Sequence, residues 1–588
     1  MTRIAIVKKE RCFPERCGER CLKDCPVNRQ GGHCITLTDV KKARVDEALC
    51  TGCGICPNVC PFNAVFIINL PKELDREPIH RYGENAFSLY SLPTPLFGKV
   101  VGTIGVNGIG KSTALKVLAK VLHPNLGDWK RTDQVSFKDI IDYFRGTEAQ
   151  LFFERMRDSK VRVSYKPQAV DAIPRQYTGT VRSLLEKVSS KERALEMAAM
   201  LDLTEVLDHS IGELSGGELQ RLAIAACSLK EAELYIFDEP TSYLDIKQRV
   251  KVSRFIRSLA TPEKGVLIVE HDLIILDYLT DFVHLMYGKA GCYGIVSLPR
   301  ATRTGINIYL DGYLKEENIR FRQSKISFRD ARVMFDKRPL HGTIVTWSGL
   351  KKALGTFSLE ASSGGIPYGK VIGVLGENGT GKTTFVKMLA GVLSPDEGEV
   401  SGSATVSYKP QYLQSDSEEL VGTVLYEAFQ KDYTQLVSPL QLDELRDRRL
   451  CDLSGGELQR VSICLCLSKE ADLYLLDEPS AYLDVEQRLA IARLIRDMMI
   501  LREKTALVVD HDLLFMDQIA DQLMVFSGKP AVRGSVSGVL SMEDGMNSFL
   551  ADLGITMRRD EQSRRPRINK QDSVKDREQR EAGKLYYS

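Results

Sequence analysis

Long hydrophobic runs are missing from this chain of 588 residues. Nowhere do 18 apolar residues follow one another, which argues against a transmembrane helix. At the start, Met1 to Glu10, only Ile4 to Val7 is apolar, too short for a signal peptide's core. The default address is therefore cytosolic or nuclear. An excess of one charge is missing too: 80 Lys and Arg against 78 Asp and Glu leave a formal +2. Charge alone thus points to no nucleic-acid partner, although local basic patches are allowed. Cysteine is scarce over most of the length. Only Cys227, Cys292, Cys451, Cys464 and Cys466 lie beyond residue 60, and their apolar or loop contexts read as buried small hydrophobes. That long stretch shows no flavin or haem motif and no redox cysteine pair, so it offers no electron acceptor.

The length exceeds what one core usually serves, and about three to four domains are expected. An apolar content of 43% with 27% charged residues fits packed globular domains. Nine cysteines crowd the first 60 residues: Cys12, Cys17, Cys21, Cys25, Cys34, Cys50, Cys53, Cys56 and Cys60. In a secreted protein they would suggest disulfides; in a leaderless chain metal ligation is the better reading.

A large internal repeat organises the rest. Leu214 to Arg221, Leu-Ser-Gly-Gly-Glu-Leu-Gln-Arg, recurs letter for letter as Leu453 to Arg460. Gly105 to Ser112 recurs as Gly376 to Thr383, and Ser-Tyr-Lys-Pro-Gln occurs at Ser164 and again at Ser407. Ser215 to Asp238 and Ser454 to Asp477 are equally spaced, so two copies of one domain are expected. Between Lys111 and Gln168 the first copy carries 28 residues more than the second has between Lys382 and Gln411. Within that insertion Phe137, Ile140, Ile141 and Phe144 have helical spacing, which Arg145 to Thr147 breaks and Leu151, Phe152, Arg155 and Met156 resume. The insertion, about 130–160, reads as a helical hairpin suited to partner contact.

Each copy has Gly-x-x-x-x-Gly-Lys-Ser/Thr after an apolar strand, the context of a phosphate-binding loop. Asn107, Gly108, Gly110, Lys111, Ser112 and Thr113, and Asn378, Gly379, Gly381, Lys382, Thr383 and Thr384, are the candidate ATP contacts. Glycines let backbone N–H groups curl around an anion, and the following helix adds its positive end. Ser112 and Thr383 offer hydroxyls to Mg²⁺. Apolar strands then end in Asp238-Glu239 and Asp477-Glu478. Alternation turns the two carboxylates different ways, so Asp238 and Asp477 suit magnesium while Glu239 and Glu478 suit the attacking water. His271 and His511 are expected to orient that water and the γ-phosphate.

Cys50-x-x-Cys53-x-x-Cys56-x-x-x-Cys60-Pro61 matches a bacterial [4Fe–4S] ferredoxin run, with zinc as the rival. Cys12, Cys17, Cys21 and Cys25-Pro26 form a looser run before it. The Cys before Pro ligates the other cluster in two-cluster ferredoxins. One cubane is then expected on Cys25, Cys50, Cys53 and Cys56, and another on Cys12, Cys17, Cys21 and Cys60. Cys34 is left over.

The Ser-Gly-Gly-Glu octapeptide resembles the signature of the ATP-binding cassette superfamily. That resemblance makes Gln168 and Gln411 the Q-loop glutamines, which also serve magnesium, and Asp245 and Asp484 the D-loop aspartates. It implies that Ser215 with Gly217, and Ser454 with Gly456, cap the ATP held by the opposite phosphate loop, so that ATP acts as glue between the halves. A ferredoxin-like head before two cassettes closely resembles the RNase L inhibitor family, subfamily E of those proteins. Cys53-Gly-Ile-Cys56, Ile67-Ile-Asn-Leu-Pro71, His80-Arg-Tyr-Gly83 and Arg565-Pro-Arg-Ile-Asn-Lys570 carry the likeness, with details closer to eukaryotic than archaeal members.

The resemblance implies an α/β multidomain chain. Its parts would be a ferredoxin-like iron–sulfur domain (1–75), a first cassette (76–304), a hinge (305–340), a second cassette (341–550) and a C-terminal hinge segment (551–588). It implies a monomeric cytoplasmic ATPase that splits ribosomes with a release-factor or Pelota-type protein. It would then stay on the small subunit with initiation factors. Tyr82 and Phe87 lie where the family presents aromatics to adenine, and the second copy shows no equally clear one. Asp510 stands where the first copy has Glu270. Two other classes fit parts of the pattern, the ATPase half of a membrane transporter and a redox iron–sulfur ATPase.

Overall fold

The computed structural model describes residues 2–46, 49–70, 77–131, 133–328, 342–402, 404–411 and 416–587. The end of the expected head at 75, Pro71 of the family segment, and hinge residues 329–340 lie outside them. None of the described helices is long and apolar enough to cross a membrane. The chain divides into two compact units, whose boundary runs through the first cassette.

The first unit comprises residues 1–95, 103–163 and 284–299. Strand Thr2–Val7 pairs antiparallel with Val65–Leu70, and Ile35–Leu37 with Ala43–Val45. Between them run helices of one turn, Pro14–Cys17, Arg20–Asp24, Pro26–Arg29 and Ile55–Val59. Two start on proline, whose fixed φ and missing N–H suit a first helical position. Few apolar side chains serve this head, and Cys12, Cys21, Cys25, Cys34 and Cys56 are part of its core with Val7, Val45 and Val65. The same unit holds one wing of the first cassette, which the head meets: Asn85 Nδ2 donates to Val45 O (2.7 Å), Arg44 pairs with Glu84 (2.7 Å) and Lys289 Nζ lies 3.8 Å over the Phe66 ring.

The insertion forms two helices, Phe137–Tyr143 and Glu148–Arg157, with the Phe144 and Phe153 rings stacked at 5.3 Å. Here the expected face needs correction. Leu151 is 63% exposed and Phe153 is buried. The turn rotates the second helix so that Ala149, Phe152, Phe153 and Met156 face the first.

The second unit comprises residues 96–102, 164–283 and 300–588. Its eleven-stranded sheet contains Val371–Gly376 and Leu473–Asp477, with Thr505–Val509 parallel between them. All three are apolar and buried along their length, as a parallel strand covered on both faces must be. Phosphate loop and acid pair follow at their carboxyl ends, where open α/β sheets bind ligands. In the first copy Leu234–Asp238 pairs in parallel with Gly265–Val269.

The expected boundaries at 305 and 551 cut through helices Thr302–Asp311 and Met542–Leu553. Of the later cysteines four are buried, but Cys451 is exposed in the 3-10 turn Leu450–Asp452 before the second signature.

The C-terminal segment closes on the first copy through arginines. Arg565, fully buried, donates to Asp277 Oδ2 (3.0 Å), and Arg567 holds both oxygens of the same carboxylate. Arg303 donates to Asp560 (2.7 Å) from the helix Thr302–Asp311. A buried guanidinium that loses its carboxylate is an uncompensated charge. Asp277→Ala is therefore expected to destabilise this packing by about 3–5 kcal/mol, seen as a lower urea midpoint and early proteolysis of the C-terminal segment.

Candidate functional site

The second phosphate loop lies wholly within the second unit. Gly379 and Gly381 stand at φ of 74° and 94°, a region that glycine enters without Cβ strain. The turn delivers Lys382 to the start of the helix Lys382–Leu389. Its Nζ donates to the carbonyl oxygens of Gly376 (2.9 Å) and Glu377 (2.7 Å). Burial pushes its pKa down to about 8, so an arriving anion would stabilise the charged form. Thr383 Oγ1 donates to Asp477 Oδ2 at 2.8 Å. Asp477 Oδ1 is buried with no hydrogen-bond partner among the described residues, an acceptor that fits a cation. Hydroxyl and carboxylate together are the donor set magnesium takes.

Beyond each strand end the backbone is strained. Glu239 and Glu478 both take φ of 47°, a left-handed value costing on the order of 1–3 kcal/mol at a non-glycine residue. Gln168 Nε2 donates to Glu239 Oε1, and Gln411 Nε2 to Glu478 Oε1, both at 2.6 Å. His271 Nε2 lies 3.3 Å from Glu239 Oε1, and His511 Nε2 lies 3.6 Å from Glu478 Oε1. Burial first, then Asp510 and Asp477, pushes Glu478 up to about 7, near the working pH of a general base. Burial, Lys382 and Arg249 hold His511 well below its ordinary value, so its imidazole is neutral. Glutamine, glutamate and histidine thus form one cluster in each copy.

Four further residues support these turns. Lys166 Nζ donates to the carbonyl oxygens of Asp238 (2.9 Å) and Glu239 (3.2 Å), and Lys409 does the same for Asp477 and Glu478. Gln220 and Gln459 reach the carbonyl oxygens of Glu239 and Glu478 at 2.6 Å. Buried carbonyls need such partners. The sequence signal was the exact repetition of both motifs.

Ser215 and Ser454 are N-caps of the helices Gly216–Leu229 and Gly455–Ser468, and each hydroxyl bonds Glu218 or Glu457 in a capping box. Tyr243, at φ 64°, would meet a Cβ on Gly216 at 3.2 Å, and Tyr482, at φ 63°, would meet one on Gly455 likewise. Gly217 and Gly456 lie against the backbone oxygens of these same tyrosines.

The two copies touch inside this unit. Asp245 Oδ1 caps its own helix, while Oδ2 accepts from Asn378 N at 2.9 Å. Lys247 pairs with Glu377 at 2.7 Å. The first D-loop aspartate therefore reads the second phosphate loop directly. Asp484 has the same N-cap role, accepting from Gln487 N at 2.9 Å. Thr384 follows in the loop's helix.

The first phosphate loop, in the first unit, has the same form. Gly108 and Gly110 take φ of 74° and 96°, and Lys111 Nζ donates to Gly105 O (2.8 Å) and Val106 O (2.9 Å). Asn107 precedes these glycines, and Ser112 and Thr113 lie in the following helix, Lys111–Leu118. Tyr82 is exposed, its hydroxyl 3.2 Å from Thr113 Oγ1. Phe87 lies over Gly110, where a Cβ would come within 2.4 Å of the ring. Phe357 lies over Gly381 in the same way, at 2.9 Å. The second copy thus has an aromatic that the sequence reading missed. Its offset was the signal: Phe87 stands 24 residues before Lys111 and Phe357 stands 25 before Lys382.

In the head, Cys25, Cys50, Cys53 and Cys56 line one small pocket with Cys34 and Ile67. Burial and the neighbouring Cys50 and Cys53 push Cys56 up to about 12. Burial and Cys12, Cys17 and Cys60 do the same to Cys21. Cys12, Cys17, Cys21 and Cys60 thus stand near one another, and Cys34 joins the other group as a fifth thiol against Cys25 and Cys50. Backbone N–H groups point at sulfur: Ala5 at Cys50 (3.3 Å), Ala43 at Cys12 (3.2 Å) and Ala64 at Cys60 (3.3 Å). Such donors favour thiolates, and soft thiolates suit iron–sulfur clusters. Thiols near 12 keep their protons at neutral pH, so metal must displace them. Among the described residues no three metal-type side chains close on a single ion's position; a cubane spreads its ligands over four irons and needs no such point.

Three family profiles match. An ABC transporter profile covers 97–242 and 359–481, one for a possible Fer4-like domain in RNase L inhibitor covers 2–33, and one for a 4Fe-4S binding domain covers 43–66. An uncharacterized ABC transporter ATP-binding protein of Methanocaldococcus jannaschii is 49% identical over 100% of this chain and 97% of its own length. A translation initiation factor of Saccharomyces cerevisiae is 44% identical over 100% of this chain and 98% of its own. The higher identity is with the archaeal protein, so these values do not follow the eukaryotic leaning of the sequence details. Among solved structures, one of ribosome-bound archaeal Pelota and ABCE1 matches with TM-score 0.93 and 51% identity over 100% of this chain and 99% of that one. An archaeal ribosome recycling factor in complex with a ribosomal stalk protein matches with TM-score 0.82 and 51% identity, covering 87% of this chain and 99% of that one.

Proposed function

The chain belongs to the RNase L inhibitor family, subfamily E of the ATP-binding cassette proteins, and on that premise we propose that it is the ATPase that splits ribosomes into subunits after termination or stalling. The observation that carries the reading is the match over the full chain, head and both cassettes together, to a ribosome-bound member with Pelota. The protein works with a Pelota or release-factor type partner in the cytoplasm, then stays with the small subunit in initiation. A transporter ATPase has no use for the cysteine-rich head.

The second site is assembled as follows. Phosphate-loop amides and Lys382 hold the triphosphate, and Thr383, Asp477 and Gln411 would hold magnesium, which neutralises phosphate charge when bound. Glu478 takes the proton of the attacking water, and His511 orients water and γ-phosphate. Ser215 contributes from the first cassette, beside the Asp245–Asn378 contact. To donate to phosphate its hydroxyl must leave Glu218, so ATP selects the closed arrangement. Adenine packs on Phe357. In the first cassette Lys111 and Ser112 serve the phosphates of their own loop, with Tyr82 and Phe87 beside it, and Asp238, Glu239, Gln168 and His271 have the roles of their second-copy counterparts. Closure from mostly open to mostly closed takes about 5.5 kcal/mol of differential binding, within reach of charge-assisted contacts to two triphosphates.

The head carries two [4Fe–4S] clusters, on Cys25, Cys50, Cys53 and Cys56 and on Cys12, Cys17, Cys21 and Cys60. They brace a domain too small and too poor in apolar residues to hold itself together.

Purified ribosomes, the chain, a Pelota-type partner and ATP on a sucrose gradient test the reading. Free subunits are expected; intact ribosomes would overturn it. Ser215→Arg supplies a finer check. It should abolish trapping of nucleotide at the Lys382 loop while the Lys111 loop keeps its own, and loss confined to the Lys111 loop would contradict the cross-cassette assignment.

A further inference from the structure

Ser-Tyr-Lys-Pro-Gln stands in both copies, from Ser164 and from Ser407. Three of its side chains have clear tasks. Ser164 Oγ donates to Cys227 O (2.7 Å) and Ser407 Oγ to Cys466 O (2.9 Å), which ties the strand to the signature helix. Lys166 and Lys409 hold carbonyl oxygens at the acidic strand end, and Gln168 and Gln411 reach the catalytic glutamates. The tyrosine, Tyr165 or Tyr408, has no part yet.

Strand register shows where it points. Val406–Lys409 runs parallel to Leu473–Asp477, with Tyr408 opposite Leu475 and Lys409 opposite Leu476. Side chains alternate along a strand, so Tyr408 shares a face with Leu475 and Asp477, and Lys409 lies on the other. The charge that bears on the Tyr408 phenol is that of Asp477. In the first copy the contact is direct, Tyr165 OH donating to Asp238 Oδ2 at 3.4 Å. In the second, the Tyr408 hydroxyl and Asp477 Oδ1 are both buried with no hydrogen-bond partner among the described residues. A buried donor and a buried acceptor left open on neighbouring side chains call for an explanation.

The carboxylate's task supplies it. An ionised carboxylate has about four lone-pair positions. Thr383 Oγ1 takes one of them, on Oδ2. A second donor, on Oδ1, fixes the plane of the group and leaves lone pairs for an ion or its waters. We propose that Tyr408, like Tyr165 in the first copy, is a positioning residue for magnesium, its phenol donating to the strand-end aspartate and fixing the plane in which that carboxylate meets the ion. The phenol touches neither metal nor nucleotide. This rests on the reading of Asp477 as a magnesium residue.

The test uses the full-length protein with Glu239→Gln and Glu478→Gln, which keeps both nucleotides without turnover. Mn²⁺ is the probe, titrated by the electron paramagnetic resonance of the free ion. Tyr408→Phe removes one oxygen and keeps the ring. It should weaken one of the two bound Mn²⁺ about 10-fold, a usual loss at an outer-shell partner of a metal ligand. Adding Tyr165→Phe should weaken the other likewise, and Tyr165→Phe alone decides the matter if the Tyr408 variant fails to fold. ATP bound in EDTA should keep its parent affinity, which a merely structural role would not predict. In protein silenced by Glu239→Gln alone, Tyr408→Phe should raise the Mg²⁺ needed for half-maximal turnover about 10-fold, and excess Mg²⁺ should restore kcat. Mn²⁺ held as tightly as in the parent, or an equal loss of ATP affinity in EDTA, would overturn the proposal. Asp477→Asn examines the premise. Mn²⁺ still tight in that variant would overturn the magnesium assignment itself, whereas loss there with no change in Tyr408→Phe would overturn only the role of the phenol.

Discussion

Glu478→Gln lowers hydrolysis at the second site by about 10²–10⁴-fold, the usual loss when a general base goes, while ATP still binds. Binding survives because the triphosphate contacts lie elsewhere, on the loop from Gly376 to Thr383, and because glutamine keeps the bond from Gln411 through its own carbonyl. Only the ability to accept a proton is removed. The same change at Glu239 acts on the first site, and the double variant holds both nucleotides without turnover. Filter binding of labelled ATP and phosphate release measure the two halves of this expectation. Wild-type turnover in the double variant would refute the assignment. A pH profile adds to it. With Glu478 pushed up to about 7 by burial and by Asp510 and Asp477, the base is protonated in mild acid. The second site's rate should therefore climb as pH rises through about 7 and then level off. That limb should disappear with glutamine.

Cys21→Ser has the second large effect, on the head. Anaerobically purified protein should contain about eight irons with matching acid-labile sulfide, four per cubane. The variant should lose about four of them, because Cys21 stands with Cys12, Cys17 and Cys60 and not with Cys25. It should also lose ribosome splitting, since Cys21 is buried in the core of the head, where five of the twelve buried residues are cysteines. ATP hydrolysis by the isolated chain should largely persist. Stoichiometric zinc in the parent protein, or only four irons, would rule out the two-cluster assignment. On the proposed reading the head is a braced lever and not an electron carrier. Splitting rates that followed cluster oxidation state with the fold intact would contradict that role.

Local chemistry was legible in the sequence because it is written in short motifs. Phosphate loops, acid pairs, signatures and cysteine runs each need a few residue types at fixed spacing, and repetition removed the ambiguity of any single match. The expected grouping of Cys25 with Cys50, Cys53 and Cys56, which line one pocket, came from the crossover rule of two-cluster ferredoxins, in which the Cys before Pro serves the other run. Contacts between distant segments were not legible. Nothing in Arg565-Pro-Arg567 names Asp277, nor does Asp245 name Asn378. Phe357 and Leu151 failed for a related reason: which face of a strand or helix is covered depends on the partner packed against it, and a single residue's identity leaves that open. The left-handed backbone at Glu239 and Glu478 likewise belongs to the tertiary structure. Glutamate has no preference for it; buried Lys166, Lys409, Gln220 and Gln459 hold the turn from positions far along the chain. The sequence determined which groups would do chemistry, and the packing of remote segments decided where each would stand.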